Sequence, residues 1–460
     1  MRRMLVLAAV ACLTVPACAG DLRTAAALRD RALADSTAWN VLESLTTEIG
    51  PRPAGSSAAQ RARDWALAKL RALGFANVHA EPFAKPSWAR GAESAEVVAP
   101  FPQKLAVIGL GGSVPTPPQG IEADIVVLKT YADVLAAPLG AFKGKIVVVN
   151  QPMTRTKDGS GYGKAVVARY GASEAAKRGA VAYLVRSIST GSSRAPHTGG
   201  GTYGASASKI PEAALGVPDA DLLEHMAARG PVRLRLKLAS FVRPNSMAWN
   251  VSGEIVGSTR PDQVIVIGGH LDSWDPGTGA IDDGAGVAIT TAAARLIGQL
   301  PRPPRRTIRV VLWGSEETGG SSDAYLAAHK GELAKIVVAA ESDLGSDRIY
   351  RLKLPPGGRA RPALKPLATA LAPLRVFVSP EPPKDAGSDV EGLQKAGVPV
   401  FSLDQDANRY FDIHHSADDT LAVVDRGQLN QNVAVWAALL YLIADGDADF
   451  RAKRSPKSVP

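Results

Sequence analysis

The C-terminal half of the chain repeats one texture: a short apolar run, a polar loop, then a stretch with amphipathic helical periodicity. Val264–Ile267, Ile308–Trp313, Ile336–Ala340 and Val398–Leu403 have the length and composition of buried strands. They alternate with Gly286–Leu300, Ser321–His329, Val390–Ala396 and Gln428–Ile443, which have helical patterning. Apolar strands alternating with amphipathic helices predict an α/β fold, a mostly parallel, doubly wound sheet with helices on both faces.

The N-terminal half reads differently. Thr24–Leu45 is Ala/Leu-rich and predicts a helix, followed by a Pro/Gly break at Gly50–Ser56. Ser56 is placed to cap a helix whose apolar stripe is Ala58, Ala62, Ala66, Leu70 and Leu73, ending at Gly74. Phe75–Phe83 follows as a strand. From Phe101 to Val242, short β-rich runs such as Ile125–Leu128 and Lys145–Val149 alternate with Gly, Pro and Ser clusters. Only Ala172–Lys177 and Asp219–Met226 look helical there. This segment, 101–242, is expected to be an inserted β-rich domain. It splits a catalytic unit into 20–100 and 243–446, and a basic tail covers 447–460.

Composition narrows the chemistry. The two cysteines of the 460-residue chain are Cys12 and Cys18, which excludes Cys-based zinc modules, iron–sulfur sites and a disulfide scaffold for the body. Residues 1–19 read as an export signal, with Arg2 and Arg3, an apolar Met4–Val15, and Ala17-Cys18-Ala19 before Gly20. An alternative is a lipid anchor at Cys18, because Val15–Cys18 resembles a lipobox. Either way the expected destination is periplasmic or extracellular, with no membrane-spanning segment. The net charge of +9 is concentrated in Arg302–Arg309 and the tail. No aromatics are interleaved there, so no nucleic-acid partner is expected.

Ligand sites in open α/β sheets lie beyond the carboxyl ends of the strands. There the sequence places His270 and Asp272, then Glu316-Glu317, then Glu341-Ser342-Asp343, and finally His414-His415; Asp282-Asp283 precedes the first helix. Carboxylates collected at one edge repel unless they are protonated or bound to cations. Two histidines with several carboxylates suit a pair of zinc ions. In that scheme Asp282 bridges the ions, and His270 with Asp343 and Glu317 with His415 complete one ion each. Glu316 takes a proton from the metal-bound water and returns it to the leaving amine. Asp272 orients the other ring nitrogen of His270. Gly-x-Ser-x-Gly and His-Glu-x-x-His are both absent from the sequence, which disfavours a serine hydrolase and a thermolysin-like protease.

In this order, His270-Leu271-Asp272-Ser273, Asp282-Asp283-Gly284, Ser315-Glu316-Glu317-Thr318-Gly319, Glu341-Ser342-Asp343 and His415-Ser416 through Asp419-Thr420 resemble the motifs of the co-catalytic zinc exopeptidases, the family of the bacterial leucyl aminopeptidases. Ser273-Trp274-Asp275 and Pro196-His197-Thr198-Gly199 are similar to its carboxypeptidase Q (plasma glutamate carboxypeptidase) branch. The likeness runs from about Ile49-Gly50-Pro51-Arg52 to Thr420. It implies two zinc ions per subunit, short peptide substrates, a protease-associated domain as the insert, a cis Asp282–Asp283 peptide and a homodimer. It also implies that the last ligand stands four residues before Asp419, which selects His415 over His414. His197, Tyr410 and Ser388 are candidate substrate contacts. Dipeptidase or carboxypeptidase action and aminopeptidase action both remain open. A receptor-like binding protein is disfavoured by the complete ligand set, and a glutaminyl cyclase by Asp282 and the insert.

Overall fold

The computed structural model describes residues 21–204, 208–355, 360–384 and 386–451, with the side chains of 360–365 left out; the expected export signal and Cys18 lie outside them. One of the two large sheets is five-stranded. Its order is Ala76–Ala84, Met247–Ile255, Arg306–Trp313, Arg260–His270, Ile336–Glu341. The last three strands are parallel and are joined through the helices Ala285–Gly298 and Ser321–Ala328. The first two pair antiparallel with each other, and Met247–Ile255 is antiparallel to Arg306–Trp313. The sheet is therefore mixed rather than mostly parallel. Met247–Ile255 escaped the sequence pattern because its polar residues face a buried layer. Asn250, for example, accepts from Gly314 N and donates to the Ser321 carbonyl, at 3.1 and 3.0 Å.

Alternation along Arg260–His270 covers both faces. Ile265 and Ile267 join the core under Ala285–Gly298 and Arg426–Asp445, whereas Val264 and Val266 pack with Trp313, Tyr325 and Leu393 on the other side. Arg426–Asp445 is buried on nearly every face from Leu429 onward. The expected Thr24–Leu45 helix is broken into Leu22–Leu33 and Thr37–Ser44. The expected strand Val398–Leu403 is divided too. Val400 bridges Ala339, while Ser402–Gln405 pairs with Ile349–Lys353 in a separate three-stranded sheet.

The other large sheet, formed by strands between Glu93 and Leu238, is eight-stranded, and its middle strands Ile121–Leu128, Ile146–Val149, Ala182–Arg186 and Glu212–Leu215 run parallel. Glu93–Ala99 belongs to it, so the sheet begins before residue 101. Besides Ala172–Lys177 and Val217–Ala227, it carries the helices Tyr131–Ala136 and Gly161–Ala165. The former is announced by a capping box between Thr130 and Asp133.

Glu212 lies inside this unit, and both of its carboxyl oxygens are buried without a donor. Burial pushes its carboxyl up to about 8, against the Tyr203 hydroxyl beside it. The folded chain therefore holds this proton more tightly than the unfolded chain, whose glutamate titrates at its ordinary value. Stability should fall as pH rises from about 4.5 to about 8 through this group, then level off. Glu212→Gln should flatten that slope in urea melts across the window; parallel slopes for both proteins would contradict the buried-acid reading.

Candidate active site

The parallel register brings the polar loops to one edge. His270, the last residue of its strand, lies opposite Trp313, and Gly268 lies opposite Glu341. Each strand thus ends at one level, and the next few residues deliver Glu316-Glu317 and Asp343 beside His270. Asp282 comes from the turn Ala280–Gly284 and is joined to Asp283 by a cis peptide. His415 follows the short helix Tyr410–Ile413, at a positive φ of 62°.

Asp282 occupies the centre. One of its oxygens is 3.0 Å from His270 Nε2, and the other is 3.1 Å from His415 Nε2. Asp343 stands 3.5 Å from His270 Nε2, and Glu317 3.0 Å from His415 Nε2. The bridging carboxylate thus faces two separate His/carboxylate pairs. Burial opposes charge on both imidazoles, but Asp343, Asp272 and Asp282 at His270, and Glu317 and Asp282 at His415, hold each well above the ordinary value. Burial pushes Glu316 up to about 8 and Glu317 to about 7. Glu317 Oε1, Asp343 Oδ1 and Asp272 Oδ2 are buried without hydrogen-bond donors. Unpaired carboxylate oxygens at such density are what bound cations satisfy.

His414 is also present. It stacks on His415 with ring centroids 3.5 Å apart, and its Nε2 lies 3.5 Å from Asp282. It lacks the second carboxylate that His415 has in Glu317. Burial and the neighbouring His415 push its pKa well down.

Several supports were not apparent in the sequence. Arg52, fully buried, donates to the carbonyls of Leu271, Gly50, Thr278 and Gly279, and its own N–H reaches Ser273 Oγ. It thereby ties down the loop between His270 and Asp282. Asp419 accepts from the N–H groups of Ala280 and Ile281, both at 2.8 Å. Asp283 accepts from His270 N and Gly286 N, locking the strand end to the helix start. Gly269 permits this contact, since a Cβ there would lie 2.4 Å from the Asp283 carboxylate.

Among the candidate residues, Ser388 and Tyr410 line the cleft with Glu316, Glu317 and Asp343. Asp272 differs from expectation in the atom that acts. His270 Nδ1 bonds its main-chain oxygen at 2.9 Å, with its carboxylate at 3.6 Å. That carboxylate instead accepts from Glu316 N. His197 is 1% exposed and outside the described cleft lining, and burial pushes its pKa to about 4. Its backbone is tied to Ser187, and the next residue, Thr198, reaches the site instead. Thr198 N donates to the His415 carbonyl, and the Thr198 carbonyl lies 3.3 Å from His415 Nδ1.

A mixed α/β sheet with a buried His/carboxylate cluster at its strand ends defines a metallopeptidase-type site. Residues 250–440 match the model of Peptidase family M28. Carboxypeptidase Q of Bos taurus is 39% identical over 90% of this chain and 86% of its own, and that of Homo sapiens 38% over the same shares. The crystal structure of a Peptidase M28 precursor from Shewanella amazonensis superposes with a TM-score of 0.92 at 43% identity, covering 95% of this chain and 99% of that one. A zinc aminopeptidase from Bacillus subtilis shares the fold, with a TM-score of 0.66 at 20% identity over 90% and 96% of the two chains. The chain belongs to Peptidase family M28. It is a zinc-dependent exopeptidase, and it is similar over most of their length to the carboxypeptidases Q.

Arg52→Lys replaces a planar fork by a point charge that cannot span four carbonyls. It should cost about 3 kcal/mol in chemical denaturation and weaken zinc retention on dialysis. A variant with native stability and zinc content would remove Arg52 from its positioning role.

Proposed function

We propose that the chain is an exported di-zinc exopeptidase acting on dipeptides or terminal residues of short peptides, with the insert as its protease-associated domain. The observation that carries this reading is the central Asp282 carboxylate, each oxygen of which faces a different His/carboxylate pair. Asp282 would be shared by both ions, with His270 and Asp343 holding one and Glu317 and His415 the other. The unpaired buried oxygens of Asp343 and Glu317 fit that donor set. When bound, the two ions supply Lewis acidity toward the scissile carbonyl and the attacking water. Among the described residues, no helix is long and apolar enough to cross a membrane.

The protein's own work falls to three groups. Glu316 lines the cleft without pairing to either histidine, so its carboxylate takes the proton of the attacking water and passes it to the departing amine. The Asp272 carboxylate fixes the Glu316 backbone through its 2.9 Å hydrogen bond, which sets where that proton is exchanged. Tyr410 and Ser388, the latter beside Glu316, line the same cleft and orient the substrate.

Glu316→Gln should keep wild-type zinc content but lower kcat by about two or more orders of magnitude; wild-type turnover would reject the proton-transfer role. Asp282→Asn should reduce bound zinc at both positions, read by elemental analysis after dialysis. Two full equivalents retained would show that Asp282 does not bridge.

A further inference from the structure

The proton-transfer scheme leaves unassigned what holds the non-reacting end of the substrate. One cationic group on the cleft wall has no part in that scheme: Arg169, in the turn Val166–Tyr170. Among the described lining residues it is the one cationic Lys/Arg side chain, in a cleft whose lining also includes Glu316, Glu317, Glu341 and Asp343. Arg169 is 1% exposed, and its Nη1 donates to the Tyr162 hydroxyl at 3.0 Å. Its Nε and Nη2 are buried without an acceptor. A guanidinium with idle buried donors is costly. Arg52, equally buried, spends its donors on four carbonyls instead.

The surroundings hold this group against the site. Tyr162, its partner, stacks on Phe411 and meets His414 edge-on, at centroid distances of 5.0 and 5.4 Å. The backbone of Gly199 passes so close that a Cβ there would fall 2.0 Å from Arg169 Nη1. Its neighbour Thr198 is the residue bonded to His415, so one loop fixes both the guanidinium and the histidine.

We propose that Arg169 is the recognition group for the free C-terminal carboxylate of a short peptide substrate. The Arg fork matches a carboxylate through two charge-assisted hydrogen bonds, and an amidated terminus offers neither the charge nor the second acceptor. The inference rests on the exopeptidase reading above and deepens it.

The test compares a dipeptide with its C-terminal amide on the zinc-loaded enzyme. Wild type should favour the free acid in kcat/KM by about 10- to 100-fold, mostly through KM. In Arg169→Gln that acid-to-amide ratio should fall to near one, and Arg169→Lys should restore part of it. Gly199→Ala, which displaces the guanidinium without removing it, should also lower the ratio. A wild-type ratio near one, or a wild-type ratio retained in Arg169→Gln, overturns the proposal. Calorimetric binding of the free dipeptide to zinc-free protein separates this inference from the peptidase reading. Binding to wild type that is lost in Arg169→Gln, alongside absence of cleavage of any peptide, would sink the enzymatic reading and leave the carboxylate site standing. Equal binding to both proteins would remove it.

Discussion

Mutual repulsion among buried carboxylates governs this molecule. Asp282, Asp283, Glu316, Glu317, Glu341 and Asp343 arrive at one edge of one sheet, and ionised groups at that spacing in a poorly solvated site oppose folding. The structure answers in three ways. Imidazoles are set against Asp282 from both sides. Backbone N–H groups are given to Asp283, Asp419 and Glu341, the last accepting from Asp389 and Val390. The oxygens that remain are left for divalent cations. Arg52 places a positive charge beneath the cluster, yet it bonds carbonyls rather than acids, so it offsets the field without neutralising a ligand.

Much of the centre was legible from the chain because strand ends are legible. A run such as Ile308–Trp313 announces where its strand stops, and the acids just beyond it must then share an edge with those after neighbouring strands. What escaped were residues whose meaning depends on distant backbone. Arg52 reads as part of a Pro/Gly break, and nothing local says that it will gather carbonyls more than 200 positions away. Asp272 was legible as a residue near His270, but which of its oxygens turns toward the ring is set by the loop's path. Arg169 sits in an unremarkable Val-Val-Ala-Arg-Tyr stretch, and its importance comes from where the insert folds back.

The sheet shows the same division. Apolar runs predicted its three parallel strands, and Phe75–Phe83 anticipated the edge strand Ala76–Ala84, whereas Met247–Ile255 carries polar residues whose partners are tertiary. His197 shows how a loop divides its roles. A histidine in a Gly-rich loop suggested a ligand-facing group, but the chain turns its ring inward and presents the backbone of Thr198.

The bond between Thr198 and His415 joins positions separated by 217 residues. It has a practical meaning for anyone trimming this protein to a minimal scaffold. Excising the insert would leave the peptidase sheet with its strands and most of its acids. It would also remove the carbonyl beside the outer ring nitrogen of His415, and with it the acceptor that would favour one tautomer. The segment carrying the eight-stranded sheet is thus no detachable accessory: the environment of His415 is completed from it.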